Sequence, residues 1–378
     1  MLPVIFILKK TKKMTDFQVK KGDPVFLSGS AFERGCQQAK ISEFSINEVK
    51  EVINRRLQEL KKIIWRKDVQ GLIGDLKKFH LASDPKIMEE IKGIGIGFGI
   101  NEDDLFLYLN SSLLTDYSTL STITEGCTAF AVTDGKGKVF LGKNRDYRSD
   151  HISIQKVFLH SDPEWGKRKL LCIGSLGSPG NFSSGMNSEG LVVADTASRV
   201  KYYGVGCHRY FLMTRLLVNC SNVQEALQVI TSTKNAGGGN LVLADSHGYI
   251  ATVELAHKSV SIDLIDQGWL ARTNHFISEL LNKETLDLPQ FISMLENSKA
   301  RLKTVRRLLD NSKGEWTFEK IAKILLFRGN SGEAALCREE GELGSQTISG
   351  IVYDPKKKHM WFAAGSPMLP YWQQYSFG

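Results

Sequence analysis

Apolar residues recur at helical spacing in the first third of the chain and at strand spacing after it. From Ser45 onward, Val49, Val52, Ile53, Leu57, Leu60, Ile63 and Ile64 lie three and four apart with Lys, Arg and Glu between them. That stripe predicts an amphipathic helix packed on a core. Pro85 opens a second helix through Ile87, Met88 and Ile91, since proline is tolerated in a first turn. Gly93, Gly95, Gly97 and Gly99 then alternate with Ile94, Ile96 and Phe98. This run lacks the Lys-Ser/Thr of a phosphate loop and follows no strand, so it reads as close helix packing or a turn. Asn101 before Glu102, Asp103 and Asp104 is a helix cap with an acidic first turn, and predicts a helix from Leu105 to about Leu114. Val25 to Ala39 reads as a strand end turning into a helix. Tyr117 to Glu125, rich in Ser and Thr, predicts a loop.

At Cys127 the period changes. Thr128 to Thr133 is short, apolar and β-favouring, Asp134-Gly135-Lys136-Gly137 is turn chemistry, and Val139 to Leu141 is a second strand. A turn centred near Gly135 and Lys136 puts Cys127 opposite about Asn144, with Asp146 on the face of Asn144 and diagonal to the thiol. Further strands are expected at Phe158, Leu170–Ile173 and Gly190–Ala194, with a tight turn over Gly185–Gly190. Helices follow at 209–218 and 223–231, then a hairpin at 241–254. A strand from Trp269 runs out into Thr273-Asn274-His275. Helices at 288–309 and 318–326 precede a last hairpin, 348–355 with 360–365. Strand pairs, helix pairs and strand pairs in one unit predict sheets covered by helices.

Composition narrows the function. In 378 residues, 42% hydrophobic and 24% charged content are those of a globular protein. The net charge of +8 is scattered, without a basic stripe interleaved with aromatics, so no nucleic-acid partner is indicated. Six cysteines occur with no CxxC pair and no Cys/His cluster at zinc spacing, which predicts reduced thiols, no metal and a cytoplasmic protein. The apolar run Val4–Leu8 is too short to span a bilayer, so no membrane is expected, and Met1 and Met14 both remain as starts.

The candidate chemistry lies at Gly126-Cys127. Glycine lacks a Cβ, so its carbonyl can be approached closely and its backbone strained. A Gly-Cys bond opening a buried strand suits self-cleavage by the thiol. The product would carry a thiol and an α-amine of pKa about 7.7–8.0 on one residue, a nucleophile with its own base. Taken alone, the same pattern fits a buried strand cysteine before an ordinary hairpin.

The rest of the chain shifts that balance. Glu125-Gly126-Cys127-Thr128, Gly142-Lys143-Asn144-Arg145-Asp146, Gly185–Gly190, Arg272-Thr273-Asn274-His275 and Ile351-Val352-Tyr353-Asp354, in that order, resemble the isopenicillin N acyltransferase (acyl-coenzyme A:6-aminopenicillanic-acid acyltransferase-like) family of N-terminal nucleophile hydrolases. Gly29–Gly35 and Ile91–Ile94 also resemble its N-terminal region. The resemblance implies an α+β, four-layer αββα sandwich, made as a precursor that cuts itself between Gly126 and Cys127. It implies an α-subunit of 1–126, mostly helical, and a β-subunit of 127–378, held as a heterodimer that could itself pair. Cys127 would be the nucleophile, Asn274 the oxyanion donor and Asp146 the carboxylate beside the nucleophile. Thr128, Asn144, Arg145 and His275 are the expected substrate contacts. The substrate is a small acyl amide or acyl donor, with no cofactor and acyl-coenzyme A only as a substrate. The family's arginine just before its closing Tyr-Asp strand has no match in Gly344-Ser345-Gln346-Thr347. Two alternatives stay open: a choloylglycine or penicillin V hydrolase-like amidase, against which the long segment before Cys127 counts, and an uncleaved small-molecule-binding relative.

Overall fold

A computed structural model of the chain describes residues 17–41, 43–119, 126–339, 345–365 and 371–378. Both candidate starts, Glu125 and Gly344 lie outside these residues. Two sheets stack face to face. One has seven strands in the order Gln18–Lys21, Tyr371–Tyr375, His359–Ala364, Gln346–Asp354, Val139–Tyr147, Thr128–Thr133 and Gly268–Arg272. The other has eight: Val260–Ile265, Ile250–Leu255, Gly239–Ala244, Val192–Thr196, Ser184–Asn187, Lys169–Ser175, Gln155–Ser161 and Val25–Ser28.

Strand alternation builds three cores between four layers. Ala129, Ala131, Val139 and Leu141 meet Leu171, Ile173, Val192 and Val242 between the sheets. The intervening Phe130 and Val132 point outward, against Val305, Leu309, Ile321 and Leu325 of helices Ile292–Asp310 and Phe318–Leu325. On the far side, Leu170, Cys172, Leu241 and Leu243 pack under the helices of the N-terminal third and Arg209–Asn219. The result is an α+β, four-layer αββα sandwich.

Several elements differ from the reading of the sequence. A helix at Lys67–Ser83 was hidden by its many polar positions. The expected helix 105–114 is two, Glu102–Leu109 and Ser111–Tyr117, broken at Asn110. Ser184–Asn187 is a strand, so the expected turn there is confined to the residues after it, where the Asn187 side chain accepts from the N–H groups of Glu189 and Leu191. The strand Tyr371–Tyr375 pairs in parallel with Gln18–Lys21, a partnership 353 positions apart that no local pattern signals.

The glycine run is close packing. In helix Pro85–Phe98, a Cβ at Gly93 would overlap the carbonyl of Phe32, and one at Gly35 of helix Ala31–Gln37 would overlap the carbonyl of Glu90. Both obstacles are backbone, so neither can step aside. Gly93→Ala is therefore expected to destabilise the protein by about 1–3 kcal/mol or more, read as a lower urea midpoint.

The N-terminal segment is woven into the remainder. It supplies an edge strand to each sheet. Buried Arg34 pairs with Glu90 at 3.4 Å and also with Asp162 of the later segment. Gln38 bonds Ser178 O and Gly177 N, both at 3.0 Å.

Candidate active site

The hairpin register decides what faces Cys127. Asp134 Oδ1 accepts from the N–H groups of Lys136 and Lys138, closing a loop centred on Lys136. Thr128 therefore pairs with Asn144, and the register carried one residue on sets Cys127 beside Arg145 rather than Asn144. The Gly126 N–H donates to the Asp146 carbonyl at 3.3 Å, in keeping with that alignment. A one-residue slip exchanges faces. Cys127 thus lies on the inter-sheet side with Lys143 and Arg145, and Asn144 lies on the helical side.

Cys127 is buried, with Sγ 4.0 Å from the Asp146 carbonyl oxygen. It lines an inter-sheet cavity of about 30 Å³ together with Lys143, Arg145, Asp146, Ser175 and Tyr108. Gly126 lines a second cavity of about 30 Å³ with Asn274, Arg301 and Arg338. Each has room for about one water.

Arg301 joins the parts. Its Nη1 donates to the Cys127 carbonyl at 2.7 Å and to Thr128 Oγ1 at 2.9 Å, its Nη2 to Asn274 Oδ1 at 2.8 Å, and its Nε to Asn297 Oδ1 at 2.9 Å. Burial pulls the guanidinium down to about 10, so it is charged at neutral pH. By occupying Oδ1, Arg301 sets the orientation of the Asn274 amide. The Asn274 Nδ2 donates one hydrogen to Ala197 O at 2.9 Å and keeps a second.

Asp146 is held from the other side. Thr347 Oγ1 donates to its Oδ1 at 2.6 Å, and Arg338 lies 3.4 Å from Oδ2. Burial pushes the carboxyl above its usual range, and Arg338 and Arg301 oppose that shift. A Cβ at Gly126 would stand 3.2 Å from Asp146 Oδ2 and would overlap Arg338 Nη1. Only glycine leaves space for this ion pair against the chain. Arg338 also pairs its backbone with Thr347 at the start of the closing strand. An arginine therefore does stand beside that strand, supplied by a loop rather than by the residues counted back from Tyr353.

Other expected contacts lie elsewhere. Both N–H bonds of Asn144 go to the carbonyls of Leu325 and Leu336, at 2.7 and 2.8 Å, which anchors a helix end. His275 Nδ1 is 2.8 Å from Ser298 Oγ, and burial and Arg301 pull its pKa down to about 4, so it is neutral at pH 7. Thr128 Oγ1 accepts from Arg301, which also binds the Cys127 carbonyl.

Arg301, Arg338 and Asp195 were not expected from the sequence. A signal existed for Arg301. It follows Ser298 by three and precedes Val305 by four, inside the buried stripe of an amphipathic helix. A cation in such a stripe asks for a buried partner. Asp195 binds Lys143 at 2.6 Å and Arg209 at 2.8 Å; burial opposes its charge, but these two cations outweigh it and hold the carboxyl below its usual range.

Among the described residues no group of His, Cys, Asp and Glu is arranged to hold a metal, and no helix is long and apolar enough to cross a membrane. All six cysteines are free thiols. No curated protein matches the sequence. Two variants of the conjugated bile acid hydrolase from Clostridium perfringens align at a TM-score of 0.45 and 14% identity, over 67% of this chain and 97% of theirs. Penicillin V acylase from Agrobacterium tumefaciens aligns at a TM-score of 0.42 and 17% identity, over 63% and 83%. Scores this low leave the fold resting on the chain's own layers. The family match is stronger and covers well over half of the sequence. On residues 132–369, the chain belongs to the acyl-coenzyme A:6-aminopenicillanic acid acyl-transferase family.

Proposed function

We propose that the protein is an autoproteolytically activated cysteine amidohydrolase or acyltransferase. The Cys127 thiol attacks the Gly126 carbonyl, an N-to-S acyl shift gives a thioester, and water hydrolyses it. The new α-amine of Cys127 then takes the thiol proton as the thiol attacks the acyl amide of a substrate. The acyl-thioester passes its acyl group to water or to another amine. Asn274 donates to the oxyanion through its second Nδ2 hydrogen, and Asp146 holds the ammonium that forms. No resident cofactor is needed in this family's chemistry, and acyl-coenzyme A fits as an acyl donor.

The observation that carries this reading is the Arg301 bridge from the Cys127 carbonyl to Asn274, with the Asp146 carboxylate against Gly126 on the other side. A buried strand cysteine in an ordinary hairpin has no use for that arrangement. Intact mass of the purified protein tests it. The expected result is two polypeptides divided before Cys127 that stay together without denaturant, because the first segment contributes a strand to each sheet. An intact chain in active material overturns it.

Gly126→Ala is expected to slow cleavage by at least tenfold, because its methyl group displaces Arg338 from Asp146. The obstacle is a side-chain end, so the fold should survive. A cleavage time course on denaturing gels, with melting as control, reads both effects.

A further inference from the structure

We infer that Arg338 is a positioning residue: its guanidinium, seated between Asp146 and the Gly126–Cys127 bond, keeps the α-amine freed at Cys127 in its base form. This rests on the reading of Cys127 as a self-cleaving nucleophile and assigns the residue that sets the ionisation of its base.

The amine must be unprotonated to take the thiol proton. An α-amine ordinarily titrates at about 7.7–8.0, so at pH 7 most of it is ammonium. Asp146 alone deepens that bias, because a neighbouring carboxylate favours the charged form. Arg338 stands where it can reverse it. Its Nη1 lies 3.4 Å from Asp146 Oδ2 and occupies the space that a Cβ at Gly126 would take. The Cys127 nitrogen is one peptide carbon from the Gly126 Cα, so Nη1 lies within about 6 Å of it by covalent geometry. The guanidinium is held in place through its own backbone, whose N–H donates to Thr347 Oγ1 at 2.8 Å, while that hydroxyl donates to Asp146 Oδ1 at 2.6 Å. Arg301, 2.7 Å from the Cys127 carbonyl oxygen, stands within about 7 Å of the same nitrogen. Two guanidiniums thus face the nitrogen against one carboxylate.

The other described groups around the nitrogen do not reverse this balance. Lys143 is paired with Asp195, and Arg199 on the Gly126 cavity is paired with Asp116 at 2.8 Å. Burial keeps Tyr108, His151 and His275 neutral. Arg145, beside Cys127, donates through Nη2 to Ser175 Oγ at 3.1 Å, and its Nη1 has no hydrogen-bond partner, so it adds positive charge. Among these arginines Arg338 is the one paired with Asp146 and packed on Gly126. One net positive charge about 6 Å away, at an effective dielectric constant of about 20–40, lowers the midpoint of an amine by about one to two pH units. That is enough to leave most of the amine free at pH 7.

Titration of the amine in protein carrying nitrogen-15 cysteine reads this directly. After cleavage Cys127 supplies the one amine nitrogen among six cysteine nitrogens, and the other five are amides with resonances far from it. The expected midpoint is about 7 or below, against the ordinary value of about 7.7–8.0. Arg338→Met should raise it by about one to two pH units, and Arg338→Lys, which keeps the charge, should leave it near the wild-type value. A wild-type midpoint in the ordinary range or above it, or one that Arg338→Met leaves unmoved, overturns the role of Arg338 and leaves the proposed function standing. A new Gly126 carboxylate that stayed on Arg338 and cancelled its charge would give that result. A wild-type chain whose six cysteine nitrogens are all amides has not cleaved, and overturns the function itself. If the methionine variant alone stays intact, Arg338→Gln takes its place. If that variant also stays intact, the wild-type and lysine midpoints decide: both below the ordinary range support the role, and either one within it overturns it.

Discussion

Cys127→Ala is expected to yield a chain of full length with no measurable turnover. Both losses are expected from one atom, because in the proposed mechanism Sγ is the attacker in the cleavage and in the acyl transfer. In a protease whose nucleophile was removed the loss was about 10⁶-fold, so residual turnover should fall below detection. Alanine fills less space than cysteine at a buried site, and the fold should lose only about 1 kcal/mol. Intact mass, melting and an amide assay on one preparation separate these effects. Normal cleavage in this variant would place the scissile bond elsewhere. Cys127→Ser is the informative companion, since a hydroxyl keeps the geometry but is a weaker nucleophile at neutral pH.

Asn274→Ala is expected to lower kcat by about 10²–10³-fold, or about 2.7–4 kcal/mol, with KM changed much less. The side-chain amide is oriented by Arg301 and by Ala197 O, and one donor hydrogen is left, which the proposed mechanism gives to the developing oxyanion. An interaction made only in the transition state lowers kcat when it is lost. Arg301 acts through Asn274 and the Cys127 carbonyl, and lysine cannot reproduce its planar fork. Arg301→Lys should therefore also lower kcat, and the double variant should cost less than the sum of the two. Strict additivity, from steady-state kinetics of the four proteins, would uncouple Arg301 from the oxyanion donor. An unchanged rate in Asn274→Ala would remove that residue from the role.

Much of the hairpin could be read directly. Glycine-rich turn chemistry between two apolar runs specifies antiparallel pairing, and the strands formed where expected. The register did not follow, because it depends on whether Asp134 closes the loop over Lys136 or Lys138, and here it takes both. That difference of one residue put Arg145 rather than Asn144 beside the thiol. Asn144, attractive as a polar residue near a cysteine, is consumed by the carbonyls of Leu325, at a helix end, and of Leu336, in the loop that follows.

The long-range partners were hidden for a different reason. Arg301 reaches Cys127 across 174 positions and Arg338 reaches Asp146 across 192, and neither separation leaves a periodic trace. The chain alone determined the helical first third, the strand alternation, the Gly-Cys junction and the order of motifs that resemble a family. These follow from local sterics and from which faces are apolar, and both are written within about twenty residues. Tertiary structure decided which face the thiol occupies, which arginine holds which carbonyl, and which cation is left unpaired. Those outcomes depend on how the two sheets and their outer helices pack. A guanidinium finds its partner only after the layers have closed.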